Sequence, residues 1–138
     1  MDCNCPNDRT NNYMKLQTMK LQTSKIIYVD IDGTICDNRD DLRNNGDPNA
    51  TYEDCSPYND RIRVINELFD DGHEIHYWTA RGVYTGTDWT EETKAQLMSW
   101  GVKYHELHVG GKPHFDMYIC DKSYNAATFF HRKERQLP

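Results

Sequence analysis

The chain of 138 residues is long enough for one domain with a hydrophobic core, but too short for a second folded module. Its net charge of -6 and hydrophobic fraction of 37% are those of an ordinary acidic, soluble protein. The 16 Lys and Arg are scattered among 22 acidic residues, which argues against a nucleic-acid partner. No apolar run approaches the roughly 18 residues of a membrane span, and the polar N-terminus lacks a secretory signal. We therefore expect a cytoplasmic protein without a membrane partner.

The first 24 residues differ in composition from the rest of the chain. They are rich in Asn, Asp, Thr and Lys, and the pentapeptide Met-Lys-Leu-Gln-Thr occurs twice in succession, at 14–18 and 19–23. Because this segment shows almost no hydrophobic periodicity, we predict a poorly ordered leader over 1–24 and one domain over 25–138.

The five cysteines indicate reduced thiols rather than a disulfide framework. Their number is odd and no Cys-x-x-Cys pair occurs. Cys3 and Cys5 form a Cys-x-Cys pair in the leader, where they could bind an adventitious metal ion.

Strands and helices alternate from Lys25 onward. The periodicity predicts a buried strand over 25–30, a helix over 58–71 with Ser56 as its N-cap, a strand over 73–79, a helix over 90–100, strands over 104–109 and 116–120, and a helix over 123–131. Strands that alternate with helices form βαβ units. We therefore expect an α/β fold, a Rossmann-like three-layer sandwich with a central parallel sheet and helices on both faces.

A polar, turn-rich insert separates the first strand from the first helix. It covers residues 36–57 and is too long for a simple connection. Inserts of this length in compact domains are usually functional or disordered. We expect Asn38, Arg39, Asp40 and their neighbours to act as a flap.

The first strand ends in the sequence Asp-Ile-Asp-Gly-Thr at 30–34. In an extended strand Asp30 and Asp32 point to the same side, so the two carboxylates can share one cation. Gly33 permits a sharp turn, and Thr34 adds a hydroxyl. Mg²⁺ prefers such oxygen ligands. Asp-x-Asp by itself is equally compatible with a solvated turn.

Polar residues also follow the later strands. In parallel sheets ligands bind at the carboxyl ends of the strands, so these residues should converge with Asp30 on one edge. Thr79 ends the second strand and Ala80 and Arg81 follow it, Lys112 follows the third strand, and Asp121 follows the fourth.

Each residue type at this edge has a use in phosphoryl transfer. A carboxylate can attack phosphorus and form an aspartyl phosphate, a role that we assign to Asp30. Asp32 can protonate the departing alcohol and then activate water. Lys112, the Thr79 hydroxyl and Mg²⁺ would stabilise the phosphoryl charge, with Asp121, or less directly Asp116, completing the metal site.

The ordered set of motifs resembles the haloacid dehalogenase superfamily of phosphatases. Four segments resemble its four motifs, in the right order over residues 25–131: Asp30 to Thr34, Thr79, Lys112 before Pro113, and Asp116 with Asp121. The resemblance implies that Asp30 is both nucleophile and metal ligand, and that Asp32 contacts Mg²⁺ through its backbone carbonyl. It also implies phosphate contacts from the neighbouring positions of these motifs: Gly33, Thr34, Ala80 and Arg81.

A narrower resemblance concerns the substrate. Tyr-Trp-Thr-Ala-Arg-Gly at 77–82 and Trp-Gly-Val-Lys-Tyr-His at 100–105 are similar to small phosphatase-like proteins encoded with capsular or lipopolysaccharide biosynthesis genes. That similarity implies a sugar phosphate by association. The intervals between the motifs leave no room for a cap domain, so the open site takes a bulky substrate or is closed by a neighbouring subunit.

Three alternatives remain open from the sequence. The substrate is a sugar phosphate or, in the same chemistry, a nucleoside monophosphate. Many relatives have two consecutive acids where this chain has Cys120 and Asp121, so a catalytically weak binding or regulatory protein is a third interpretation. Arg81 is either a phosphate contact or half of a structural salt bridge, because its guanidinium suits both.

Overall fold

The computed structural model describes residues 24–38, 51–113 and 115–132, which form an α/β fold. In chain order the elements are β1 (Ile26–Val29), α1 (Asn59–Asp70), β2 (Glu74–Thr79), α2 (Thr90–Ser99), β3 (Glu106–Val109) and α3 (Ala126–His131). These six elements match six of the seven predicted from the sequence, with each end shifted by no more than three residues.

The three strands form one parallel sheet in the order β1-β2-β3. Ile26 pairs with Glu74 at the start of β1, and Thr79 pairs with Val109 at the ends of β2 and β3. Both crossovers run between neighbouring parallel strands in the same direction, and such crossovers are right-handed. The handedness therefore places α1 and α2 on the same face of the sheet. The sequence also predicts helices on the other face of the sheet, and this second helical layer stays a prediction.

The core lies between the sheet and these two helices. Alternate residues of β2, Ile75, Tyr77 and Thr79, are almost completely buried, as the two-residue period of a strand requires. Ile62 and Ile65 of α1 and Thr93 and Leu97 of α2 are the buried positions of their helices, and their spacing of three or four residues places each pair on one helix face.

Aromatic and histidine side chains line the opposite face of the sheet. Tyr28, His76 and His108 stack with nearly parallel rings, and the His76 Nδ1 and His108 Nε2 atoms are 2.9 Å apart. Tyr28 also contacts Trp78 edge to face. Trp78 occupies the carboxyl end of this face, where it contacts the site described below.

The start of α1 differs from the prediction. Tyr58 occupies the N-cap position without a side-chain hydrogen bond, so the prediction that Ser56 caps the helix is wrong. The Ser56 N–H donates instead to Asp37 Oδ1, and the Tyr58 N–H donates to the Ile35 carbonyl. Pairing between the two ends of the 36–57 insert therefore determines where the helix begins.

The strand predicted over 116–120 is absent. Residues 115–122 contain neither helix nor strand, and Met117 and Ile119 are 75% and 87% exposed. The sequence over 116–120 has the alternating apolar residues that are typical of a strand. A strand also needs pairing and burial, however, and propensity alone does not form one.

Some predictions concern residues that lie outside the described part of the chain. These residues are the leader up to residue 23 and most of the 36–57 insert, including the flap residues Arg39 and Asp40. None of the helices in the described ranges combines the length and the apolar character needed to cross a membrane.

Truncation of Leu97 should destabilise the fold. Leu97 is completely buried, so Leu97→Ala should lower the free energy of unfolding by about 2 to 5 kcal/mol through lost burial and the remaining cavity. Met98→Ala on the same helix is the matched control, because Met98 is 81% exposed and its truncation should change little. Urea denaturation measures both, and equal effects would contradict the placement of α2.

Candidate active site

Asp30 lies immediately after β1 and contacts two polar side chains. Its Oδ1 atom is 2.9 Å from Lys112 Nζ, and its Oδ2 atom accepts a hydrogen bond of 3.1 Å from the Thr34 hydroxyl. The Asp30 side chain is 38% exposed, so the carboxylate is paired yet accessible to a ligand. The structure thus brings together three of the residues predicted for the site.

Lys112 reaches Asp30 from the segment that follows β3. Its side chain is only 13% exposed, and its Nζ lies 5.5 Å from the centre of the Trp78 ring and 5.9 Å from that of Phe115. Aromatic faces attract a cation, and they also limit the directions in which the amine can move. The ammonium group is therefore held close to the only predicted nucleophile.

A tight turn returns Thr34 to Asp30. The Gly33 N–H donates to the Cys36 carbonyl, and the Thr34 and Ile35 N–H groups both donate to the Ile31 carbonyl. Gly33 has a φ of 81°, a conformation that favours glycine. The turn explains how a hydroxyl four positions after Asp30 contacts the same carboxylate.

Asp32 points into the protein and forms an ion pair with Arg81. The Arg81 Nε and Nη2 atoms donate to the two carboxylate oxygens at 2.9 and 2.8 Å. The Asp32 side chain is 7% exposed and that of Arg81 is 1% exposed. These contacts favour the structural salt bridge over the phosphate contact as the role of Arg81.

The rest of the Arg81 guanidinium is also occupied. Nη1 donates to Thr93 Oγ1 at 3.2 Å and to Gln96 Oε1 at 2.8 Å, both on α2. The Tyr52 ring lies 4.6 Å from the guanidinium carbon, and Gln96 donates to the Tyr52 carbonyl. Burial acts to lower the pKa of Arg81, but the hydrogen bonds and charge of Asp32 outweigh it, so the pKa is raised.

Two buried cysteines complete the surroundings of Asp32. The sulfurs of Cys36 and Cys55 lie 3.5 and 3.8 Å from Asp32 Oδ1. A hydrogen bond with Cys55, burial and the charge of Asp32 all raise the pKa of Cys36, which keeps it a thiol. Sequence reasoning missed this pair, as it missed Tyr52 and Gln96, because no short spacing connects these residues.

The loop after β2 carries the remaining predicted phosphate contacts. Thr79 is 1% exposed and its hydroxyl accepts a hydrogen bond from the Arg81 N–H, while the Ala80 carbonyl accepts one from Val83. Gly82 has a φ of 85°, and a Cβ there would overlap the Thr87 carbonyl oxygen. A cleft of about 430 Å³ borders this loop, lined by Arg81, Gly82, Val83, Gly86, Thr87, Asp88, Thr90, Val109 and Gly110.

The predicted metal ligands Asp116 and Asp121 are exposed. The Asp121 carboxylate contacts the sulfur of the neighbouring Cys120, at 3.7 Å. Within the described residues, one group of three potential metal-binding side chains lies within 4.8 Å, and it consists of Asp32, Cys36 and Cys55. The predicted set of Asp30, Asp32, Asp116 and Asp121 is therefore not gathered in this structure, and its role stays a prediction.

Comparison with known proteins adds a relative and a structural neighbour. No protein-family model matches the chain. A stretch of 55 residues is 40% identical to a Bacillus cereus protein named "Putative nucleotidase", and the match covers 40% of this chain and 27% of that protein. A crystal structure of a structural-genomics target from Vibrio cholerae superimposes with a TM-score of 0.60 at 25% identity, over 80% of this chain and 90% of the other.

The comparisons support the fold more than the activity. The chain is an α/β protein with a three-stranded parallel sheet, and its similarity to a solved structure is consistent with the predicted Rossmann-like fold. The match spans about a quarter of the length of the Bacillus protein, and the nucleotidase name belongs to that protein.

Removal of Arg81 should be severely destabilising. Arg81→Met leaves the Asp32 charge buried without its partner, which should cost about 3 to 5 kcal/mol. Arg63→Met is the matched control, because Arg63 and Asp60 form an exposed pair that should contribute less than about 1 kcal/mol. Chemical denaturation distinguishes the two, and a loss below 1 kcal/mol for Arg81→Met would contradict a buried ion pair.

Proposed function

We propose that this protein is a Mg²⁺-dependent phosphomonoesterase that acts through an aspartyl phosphate on a small phosphorylated metabolite. We further propose that it is a haloacid dehalogenase-like phosphatase without a cap domain. The observation that carries the proposal is the group formed by Asp30, Lys112 and Thr34 at the carboxyl end of β1. A nucleophilic carboxylate, a cation and a hydroxyl meet there at an accessible position.

Asp30 is the proposed nucleophile. One carboxylate oxygen attacks phosphorus, the bond between phosphorus and the ester oxygen breaks, and the alcohol leaves with a proton. Water then attacks the phosphorus of the aspartyl phosphate, which releases inorganic phosphate and restores the carboxylate. Thr34 supports the orientation of Asp30 by donating to Oδ2, which leaves Oδ1 facing Lys112.

Lys112 offsets the repulsion between two anions. Without a nearby cation, the Asp30 carboxylate would repel a phosphate dianion. Lys112 Nζ lies 2.9 Å from Asp30, so a phosphate brought to that carboxylate also meets the ammonium group. In phosphoryl transfer such positioning and electrostatic stabilisation account for most of the catalysis.

The proposed Mg²⁺ site rests on the accessible carboxylate of Asp30. Mg²⁺ is commonly held by one or two carboxylates together with substrate phosphate and water, and the half-exposed Asp30 can provide the first of these. The Asp32 backbone carbonyl and Asp121 are the other proposed ligands, with Asp116 less directly involved. When bound, Mg²⁺ neutralises charge on the phosphate oxygens.

Asp32 is the proposed proton shuttle, and its ion pair with Arg81 affects whether it can donate a proton. Both of its oxygens accept hydrogen bonds from Arg81, which favours the ionised form. An ionised carboxylate can take a proton from the attacking water, but cannot donate one to the leaving alcohol. The acid role therefore requires Asp32 to leave Arg81 and take up a proton from solvent before the alcohol departs.

A sugar phosphate is the proposed substrate, and a nucleoside monophosphate is the second candidate. The sugar phosphate rests on the resemblance of residues 77–82 and 100–105 to capsule-associated proteins. The nucleotide is favoured by the name of the Bacillus relative. Phosphate release from a panel of both substrate classes separates the two candidates.

A non-catalytic binding protein is the alternative from a different class. It is supported by the engagement of Asp32 with Arg81 and by the thiol of Cys120 where relatives have an acid. A wild-type chain that binds Mg²⁺ but releases no phosphate from any ester in the panel would favour this alternative.

Substitution of the nucleophile should abolish turnover. Asp30→Asn should lower phosphate release from a generic aryl phosphate by more than about 1,000-fold, because the amide cannot form the intermediate. Chelation of Mg²⁺ should have a comparable effect in the wild type. Asp70→Asn is the control, since Asp70 forms an exposed pair with Lys103 at the end of α1. Retained activity in Asp30→Asn would refute the mechanism.

Loss of the Lys112 charge should reduce the chemical step. We expect Lys112→Met to lower kcat by about 100-fold to 1,000-fold, in the range found for other groups that stabilise transition-state charge. Lys103→Met removes a half-exposed lysine paired with Asp70 and should leave steady-state kinetics unchanged. A change in KM alone for Lys112→Met would indicate a binding role instead.

A further inference from the structure

Asp32, Cys36 and Cys55 form the cluster of ligand atoms noted above, which the proposed phosphatase reaction does not use as a group. All three atoms lie within 4.8 Å of one another, and Cys36 and Cys55 are 0% and 7% exposed. We propose that this cluster is a binding site for one thiophilic divalent cation, Zn²⁺. The proposal goes beyond the phosphatase function and does not depend on it.

The oxygen-to-sulfur distances in the cluster are close to those of a tetrahedral zinc site. Zinc bonds of about 2.3 Å to sulfur and 2.0 Å to oxygen place an oxygen and a sulfur ligand about 3.5 Å apart, and two sulfur ligands about 3.8 Å apart, at the tetrahedral angle. The two distances from Asp32 Oδ1 to sulfur are 3.5 and 3.8 Å, and all three atoms lie within 4.8 Å of one another. A cation would therefore need only a small adjustment of the three side chains.

The backbone holds both thiols in position before any cation binds. Cys36 forms a parallel bridge with Asp32 and an antiparallel bridge with Pro57. The Cys55 N–H donates to the Tyr52 carbonyl. The ligands thus come from two segments that are already paired, which lowers the entropic cost of gathering them.

Charge balance also favours zinc at this site. Asp32 and Arg81 already neutralise each other. Zinc binding would displace the protons of the two thiols, and the resulting thiolates would supply the two negative charges that the cation needs. Zinc prefers thiolate ligands, whereas Mg²⁺ prefers oxygen, so the cluster should discriminate against Mg²⁺.

The hydrogen bonds from Arg81 to Asp32 are compatible with a cation bound to the same carboxylate. A carboxylate oxygen has two acceptor positions, so Asp32 Oδ1 can accept from Arg81 Nη2 and still bind a cation on the side of the thiols. Carboxylate ligands in metal sites are commonly held by such a second hydrogen bond. The Arg81 Nη2 atom also donates long hydrogen bonds to the sulfurs of Cys36 and Cys55, at 4.0 and 3.9 Å, and donors of this kind support thiolate ligands as well.

A cleft of about 350 Å³ lies beside Arg81, the residue that contacts Asp32 and both thiols. Tyr52 and Gln96, which contact Arg81, also line it. With three protein ligands, the fourth zinc position is open to water. Occupation would connect residues 36 and 55, near the two ends of the insert, and so stabilise the folded chain.

The first experiment isolates the two thiols in the full-length chain. Cys3→Ser, Cys5→Ser and Cys120→Ser together remove the other three cysteines, and this variant is titrated with Co²⁺ in the presence of a phosphine reductant. We expect one Co²⁺ per chain with a sulfur-to-cobalt charge-transfer absorption, displacement by Zn²⁺ but not by Mg²⁺, and a higher unfolding temperature with Zn²⁺. Absence of the absorption in this folded variant would overturn the proposal.

Single substitutions in that background identify the ligands. Cys36→Ser or Cys55→Ser should lower the affinity for Co²⁺ by more than about 100-fold, since loss of a ligand should cost at least as much as loss of its supporting hydrogen bond. Each single variant should weaken the charge-transfer absorption, because one thiolate remains, and the double variant should abolish it. Unchanged affinity and absorption in either folded single variant would refute the site. Asp30→Asn should keep the full absorption, which separates this proposal from the phosphatase mechanism.

A second measurement applies if the serine variants fail to fold. Alkylation of the wild-type chain by iodoacetamide is followed for each cysteine-containing peptide by mass spectrometry, with and without Zn²⁺. Zinc should slow modification of Cys36 and Cys55 at least about tenfold relative to Cys120, because the thiolates are then bonded to the metal. Equal rates with and without Zn²⁺ would overturn the proposal.

Discussion

The buried ion pair between Arg81 and Asp32 connects the parts of the protein on which the site depends. Asp32 belongs to the turn after β1, Arg81 to the loop after β2, and the other guanidinium contacts, Thr93 and Gln96, to α2. Burying two charges is costly unless every donor finds an acceptor, and here the guanidinium is almost completely engaged. The positions of these three segments relative to one another are therefore coupled.

The ion pair also separates the two carboxylates of the Asp-x-Asp sequence. Asp30 stays half exposed beside Lys112, while Asp32 is drawn inward to Arg81 and the thiols of Cys36 and Cys55. Two acids that are identical in type thus acquire different environments, which is how one fold assigns different tasks to similar groups. The inner carboxylate takes part in both proposals, but not at the same time, because Asp32 bound to Zn²⁺ and Arg81 could not leave Arg81 to act as the proton shuttle.

Most of the fold could be predicted from the sequence, and the failures have identifiable causes. The alternation of strands and helices and the buried positions of α1 and α2 follow from periodicity, which is a local property. The strand over 116–120 failed because Met117 and Ile119 found no pairing partner, and the Ser56 cap failed because the two ends of the insert pair with each other. Pairing of distant segments is invisible to local patterns.

The sequence by itself determined that a carboxylate pair stands at the end of a buried strand and that polar residues follow the neighbouring strands. That much follows from the two-residue period of a strand and from the rule that parallel strands end at one edge. Only the tertiary structure decided that Lys112 faces Asp30 and that Arg81 faces Asp32, because these partners are 82 and 49 residues apart in the chain. The same reason applies to Cys36 and Cys55, whose sulfurs meet at Asp32 because the two ends of the insert pair with each other.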